Sequence, residues 1–164
     1  MKMESIQDLF VKELQDLYSA ETQITEALPK MAEASSSEEL KEGFQEHLKQ
    51  TKGQIKRLEQ IFEQLGTSPK GEKCKGMEGL LEEGGELMEE DADPEVLDAG
   101  LIAAAQRVEH YEIASYGTVR TYAGLLGMND ALQLLEQTLN EEKETDSKLT
   151  DLAEDINVQA DKAA

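Results

Sequence analysis

Residues 97–127 read LDAGLIAAAQRVEHYEIASYGTVRTYAGLLG, and the way this stretch folds decides the architecture. Leu101, Ala105, Val108, Glu112, Ser115 and Val119 recur at helical spacing and fall on one stripe. Upstream, DADP places Asp93 as an N-cap and Pro94 at the first helical position, where a missing N–H costs nothing. Gly127 stops the run. The reading is one long helix from Pro94 to about Leu126. Placed at about 100° per residue, Glu112 lies at the centre of the apolar stripe, Glu109 flanks it on the same face, and His110 points away. A helix whose apolar face carries two carboxylates needs a reason for them.

Three more long helices can be read around it. The first runs from about Ser5 to Ala34 on Phe10, Leu14, Leu17, Ile24, Leu28 and Met31, with Pro29 predicting a kink near its end. SSSEEL (35–40) gives a break, with Ser36 and Glu39 as a capping box. The second runs from Ser37 to Leu65 on Leu40, Phe44, Leu48, Ile55, Leu58, Phe62 and Leu65, and Gly66 ends it. The last begins near Asn129 and runs to about Ile156, leaving NVQADKAA (157–164) as a frayed, flexible tail. Loop lengths set the topology. Short breaks make antiparallel hairpins of the first pair and of the last pair. Residues 66–93 are long enough to return along a helix of roughly 42 Å, and GMEGLLEEGGELMEE within them reads as a short, glycine-broken helix. Two hairpins joined by one long crossover make an all-α, ferritin-like four-helix bundle, a single domain spanning residues 1–164.

Composition narrows the partners. The net charge is −20, from 36 acidic and 16 basic residues. Phosphate backbones and anionic membranes need basic patches, so neither nucleic acid nor membrane is an expected partner. High negative charge also keeps a chain soluble and is a lever of salt-adapted proteins. No apolar run reaches membrane-spanning length and no signal peptide opens the chain, so a cytoplasmic protein is expected. The one cysteine, Cys74, reads as a loop thiol and agrees with a reducing compartment. Acid runs such as LEEGGELMEEDADPE read as solvated charge.

The stripes of the other helices are interrupted too. Glu21 sits at the centre of the first, and Glu142 and Asp146 occupy stripe positions of the last, four apart. Thr51 is central on the second, with His47 and Gln54 at its edge. Each interruption lies near mid-helix, and in an antiparallel bundle those levels meet. Buried anions at contact cost several kcal/mol each unless protonated or paired. The stripes supply no Lys or Arg at these levels, and Arg107 and Arg120 point away from Glu112. A cation is the remaining partner, and oxygen ligands with few histidines suit Fe or Mn, and also Mg or Ca. Of the two histidines, His110 faces outward, and His47 is either a ligand or a hydrogen-bonded histidine at the core edge. The tyrosines read as packing residues, with Tyr18 one turn from Glu21 and able to support it.

LYSAETQITEALPKMA, HLKQTKGQIKRLEQIFEQLG, MEGLLEEG, AAQRVEHYEIASYG and TLNEEKETDSKLTDLAE together resemble the YciF/YciE-type bacterial stress-response proteins. The likeness spans almost the whole chain, and AAQRVEHYEIASYG is its most specific piece. It implies a ferritin-like core, a homodimer, induction under stress and a rubrerythrin-like dimetal site of Fe or Mn. Carried over, the metal ligands are Glu21, then Glu109 and Glu112 of the Glu-His-Tyr-Glu motif, then Glu142 and Asp146. The family's helix-two Glu-Thr pair reads Gln50-Thr51 here, followed by Gln54, so that helix offers a neutral amide. Two functions follow as expectations: a metalloprotein oxidising Fe(II) with O2 or peroxide, in the manner of a ferroxidase or peroxidase, or a structural bundle without redox activity. A DNA-protecting role fits poorly with an acidic chain that lacks a basic tail.

Overall fold

The computed structural model describes residues 3–163. Among these, five α-helices and no strand are formed: α1 (Ile6–Ala34), α2 (Glu38–Leu65), α3 (Lys75–Glu89), α4 (Pro94–Leu125) and α5 (Asn129–Lys162). The pairs α1–α2 and α4–α5 pack as hairpins, and α3 lies against α4 and α1. Two contacts fix the sense of the crossover. The carboxylate of Asp98, at the start of α4, accepts from the backbone N–H of Ser36 (2.9 Å) and Ser37 (2.8 Å), just before α2. Helix α4 therefore begins where α2 begins, as a long returning connector requires.

The helix ends follow local chemistry. Ser5 caps α1 through its hydroxyl to the N–H of Asp8 (3.2 Å). Gly66 closes α2 in the left-handed region (φ 64°), which an L side chain rarely adopts. The α1–α2 break corrects one expectation. Ser37, not Ser36, caps α2, its hydroxyl accepting from the N–H of Leu40 (3.3 Å), because Asp98 holds the Ser36 backbone outside the helix. Helix α1 runs on through an exposed Pro29 to Ala34.

A second correction concerns the C-terminal segment. Helix α5 does not stop at Ile156 but continues to Lys162. No glycine or proline interrupts residues 157–162, and Lys162 in the last turn favours the negative end of the helix dipole. Ala164 lies outside the described residues.

A third correction is Cys74. It is no loop thiol but the buried N-cap of α3, its sulfur accepting from the N–H of Met77 (3.4 Å). Its thiol donates to Asp16 of α1 (3.0 Å) and lies 3.1 Å from the hydroxyl of Tyr111 of α4, which also donates to Asp16 (2.9 Å). This cluster fastens the crossover helix to both hairpins. Close approach also explains Gly76, where a Cβ would come within 2.6 Å of the Tyr111 ring.

The core is in two pieces. One gathers Ala20, Ile24, Leu28, Leu40, Phe44, Leu101 and Val108 with neighbours. The other gathers Phe10, Leu14, Leu17, Leu58, Phe62, Val119 and Leu135 with neighbours. Along α1, α2, α4 and α5 the residues separating them are Glu21, His47, Thr51, Gln54, Glu109, Glu112 and Glu142, all buried. A polar layer crosses the bundle at mid-height.

Candidate metal centre

Each long helix delivers side chains to this layer because a stripe position is polar there. From α1 comes Glu21, from α2 His47 and Gln54, from α4 Glu109 and Glu112, and from α5 Glu142. The four glutamates are 0% exposed and His47 is 4% exposed. One ligand atom from each of His47, Glu109, Glu112 and Glu142 lies within 4.8 Å of the others. His47 Nδ1 is 3.2 Å from Glu109 Oε1, and His47 Nε2 is 3.8 Å from Glu142 Oε2. The first pair is close but not aligned as a hydrogen bond, since Glu109 Oε1 has no hydrogen-bond partner.

Neutral donors hold the rim. The Gln54 amide donates to Glu142, and the Tyr116 hydroxyl donates to Glu21. Gln54 also reaches Glu141 (3.2 Å), which a two-pronged Arg57 grips at 2.7 and 2.6 Å. That pair staples α2 to α5 beside the layer, and Arg57 also donates to Thr138 (3.0 Å). The hydroxyl of Thr51 is used within α2, donating to the His47 carbonyl (2.8 Å).

What is not satisfied is more telling. Both oxygens of Glu109 and of Glu112, Oε2 of Glu21 and of Glu142, Nε2 of His47 and Oε1 of Gln54 are buried with no hydrogen-bond partner. Native interiors leave few such atoms. Burial, reinforced by the Glu142 charge, pushes Glu21 up to about 8 against the opposing hydrogen bond from Tyr116. Burial and the charges of Glu142 and its neighbours hold Glu109 and Glu112 well above the usual carboxylate range. Burial lowers His47 against the opposing pull of Glu142, leaving a neutral imidazole with a lone pair to offer. Burial, then the charge of Glu21, raises the Tyr116 hydroxyl, which stays a donor.

These residues fit a metal. Four buried glutamates can carry four negative charges, which two divalent cations would cancel. The donor set of carboxylate oxygens with one imidazole suits Fe or Mn. Of the residues expected from the sequence, Glu21, Gln54, Glu109, Glu112 and Glu142 all reach the layer. Asp146 stands at its margin, 25% exposed, with Oδ1 3.2 Å from Nε2 of an outward-facing, 70% exposed His110. His47 and Gln54, read as edge residues, are buried in the layer itself. Tyr18 does not support Glu21. It packs edge-on against Phe62 and donates to the exposed Glu59 (3.2 Å). Tyr116, read as packing, is the tyrosine that does.

The two hairpins, the long crossover and a mid-bundle layer of carboxylates define a ferritin-like helical protein. A ferritin-like diiron-carboxylate protein of Bacillus anthracis superposes with a TM-score of 0.71 at 17% identity, over 92% of this chain and 99% of that one, a likeness of fold. The chain belongs to the family described as domain of unknown function DUF892, whose model matches residues 5–162. It is 52% identical to protein YciF of Escherichia coli (strain K12) over the whole of both chains. The crystal structure of that E. coli stress protein superposes with a TM-score of 0.91 at 53% identity, over 94% of this chain and 98% of that one. Among the described residues, no helix is long and apolar enough to cross a membrane.

Proposed function

We propose that this protein binds Fe or Mn, as a dinuclear centre, inside the bundle. The supporting observation is the set of orphaned, mutually facing ligand atoms between the two halves of the core. In this reading His47, Glu109, Glu112 and Glu142 hold one ion, and Glu21, beside Glu112, completes the site for a second. Asp146 is an outer carboxylate, and Gln54 orients Glu142 rather than serving as a strong ligand. If iron is bound with an open position, the chemistry it supplies is oxidation of Fe(II) by O2 or peroxide.

The chain's own residues set the conditions for that chemistry. Tyr116 and Gln54 each hold one carboxylate in a fixed orientation from its far oxygen, as outer partners of metal ligands do. The apolar residues on both sides exclude water and keep the local dielectric low. The glutamates favour a higher positive charge at the centre over a lower one. The Arg57–Glu141 pair keeps α2 and α5 from parting on that side.

Elemental analysis of protein purified without chelator tests the reading, with near-stoichiometric Fe or Mn expected and its loss expected in Glu112→Ala. Trace metal, equal in both proteins, favours the competing reading of a structural bundle, for which the neutral Gln50, in the place of the family's helix-two glutamate, argues. Mixing Fe(II)-loaded protein with O2 or peroxide then tests catalysis, and oxidation no faster than in buffer removes the enzymatic part.

A further inference from the structure

The buried layer raises the question of how a hydrated ion reaches it. The four glutamates have no exposure. Towards α1 and α3, His47 and Glu109 border only a gap of about 10 Å³ walled by Ile24, Leu28 and Val108, at the limit for a single water of about 10–15 Å³ and apolar besides. Between α2 and α5 lies a different space, an open groove of about 480 Å³ that reaches His47.

We propose that this α2–α5 groove is the passage by which divalent cations enter the centre, an inference that rests on the metal-binding reading above. Its α2 wall carries Glu39, Glu42 and Glu46, three and four residues apart on the face that leads to His47. Its α5 wall carries Asp151 and Asp155, and Lys148 is its one cation. Carboxylates of one sign along a cleft concentrate counter-ions and raise on-rates by about 10- to 1,000-fold. The floor, Phe44 and Leu149, offers no ligand, so a cation is drawn in and not retained, as passage requires. Polar side chains line it too: Gln50 of α2 and Thr145 of α5, whose hydroxyl lies 3.3 Å from the Gln50 side-chain oxygen and 3.1 Å from the Glu141 carbonyl. In the same lining stands His47, more than nine-tenths buried, with Nε2 lacking a hydrogen-bond partner. A ladder of exposed acids therefore leads to the one imidazole of the centre.

The test is the rate at which chelator-stripped protein takes up Co(II), followed by its visible absorption in a stopped-flow instrument. Two variants leave every proposed ligand intact. Glu39→Gln/Glu42→Gln/Glu46→Gln removes the steering charge. Gly43→Phe plugs the groove, since a Cβ at Gly43 would point across it to Leu152 at 3.9 Å and meet nothing nearer. The charge variant is expected to load about tenfold more slowly at low ionic strength, converging on wild type at high salt. The plugged variant is expected to load slowly at every salt concentration, and both are expected to reach the wild-type final absorbance. Wild-type loading rates in both variants would overturn the passage while leaving the metal centre standing. A wild-type protein that takes up no Co(II) at equilibrium would overturn the centre, and the passage with it.

Discussion

Asp98 and Glu112 lie four turns apart on the same helix, both buried, and their surroundings are opposite. Each oxygen of Asp98 accepts a backbone N–H from the α1–α2 turn. Neither oxygen of Glu112 accepts anything, and its neighbours are Glu21, Glu109 and Glu142. The first arrangement is complete as folded and fastens one hairpin to the other. The second is complete only with protons or a cation. Burial of an acid thus says little by itself, and what faces its oxygens distinguishes scaffold from site.

The contrast can be broken from the scaffold side first. Asp98→Ala strands two N–H groups that had a carboxylate acceptor, and should cost roughly 3 kcal/mol in urea unfolding whether or not metal is present. By the same contrast Glu112→Gln should be neutral or stabilising in metal-free protein, because a neutral amide replaces a carboxyl that burial forces to stay protonated. A large loss of stability in Glu112→Gln would mean that Glu112 is already satisfied. Next, Mn(II) at 100 times its dissociation constant should raise wild-type stability by about 2.7 kcal/mol, and should not stabilise Glu112→Ala.

A pH series sharpens the same point. Glu21 moves from an ordinary 4.5 to about 8, so between those values the folded chain holds a proton that the unfolded chain releases. Metal-free protein should therefore be most stable below about pH 4.5 on this group's account. It should lose stability as the pH rises towards about 8, by up to about 1.4 kcal/mol per pH unit for one proton. Saturating Mn(II) should flatten that slope, and a metal-free protein whose stability rises over the same range would contradict the unpaired cluster. The smallest effect is expected from Tyr116→Phe, about 1 kcal/mol for one hydrogen bond, with weaker metal binding because Glu21 is no longer held.

The sequence carried the four long helices, the crossover and the buried glutamates because each depends on local periodicity or on a cap. Glu21, Glu112 and Glu142 announce themselves by occupying positions where leucine or valine would otherwise recur. His47 and Gln54 were harder. The α2 stripe drawn through Leu48, Ile55 and Leu65 is skewed, since those three are only half-buried, and the true centre runs through Phe44, His47, Thr51, Gln54 and Leu58. Tyr116 could not be told from a packing tyrosine, because its partner, Glu21, is 95 residues away. Ser36 was misread for a similar reason. Its serine-glutamate spacing satisfies the capping pattern, but Asp98, 62 residues on, holds its backbone out of the helix.

The polar layer has one more consequence. The α1–α2 hairpin brings Glu21, His47 and Gln54, and the α4–α5 hairpin brings Glu109, Glu112 and Glu142, so neither half owns a complete set of ligands. An ion bound there would act as a rivet through the seam. If residues 67–73, the exposed stretch between α2 and α3, were cut by a protease, the two fragments should stay joined while the rivet is in place. Adding a chelator should then loosen them, measured as faster hydrogen exchange along the seam. The same exchange rate with and without metal would mean that packing alone holds the halves together.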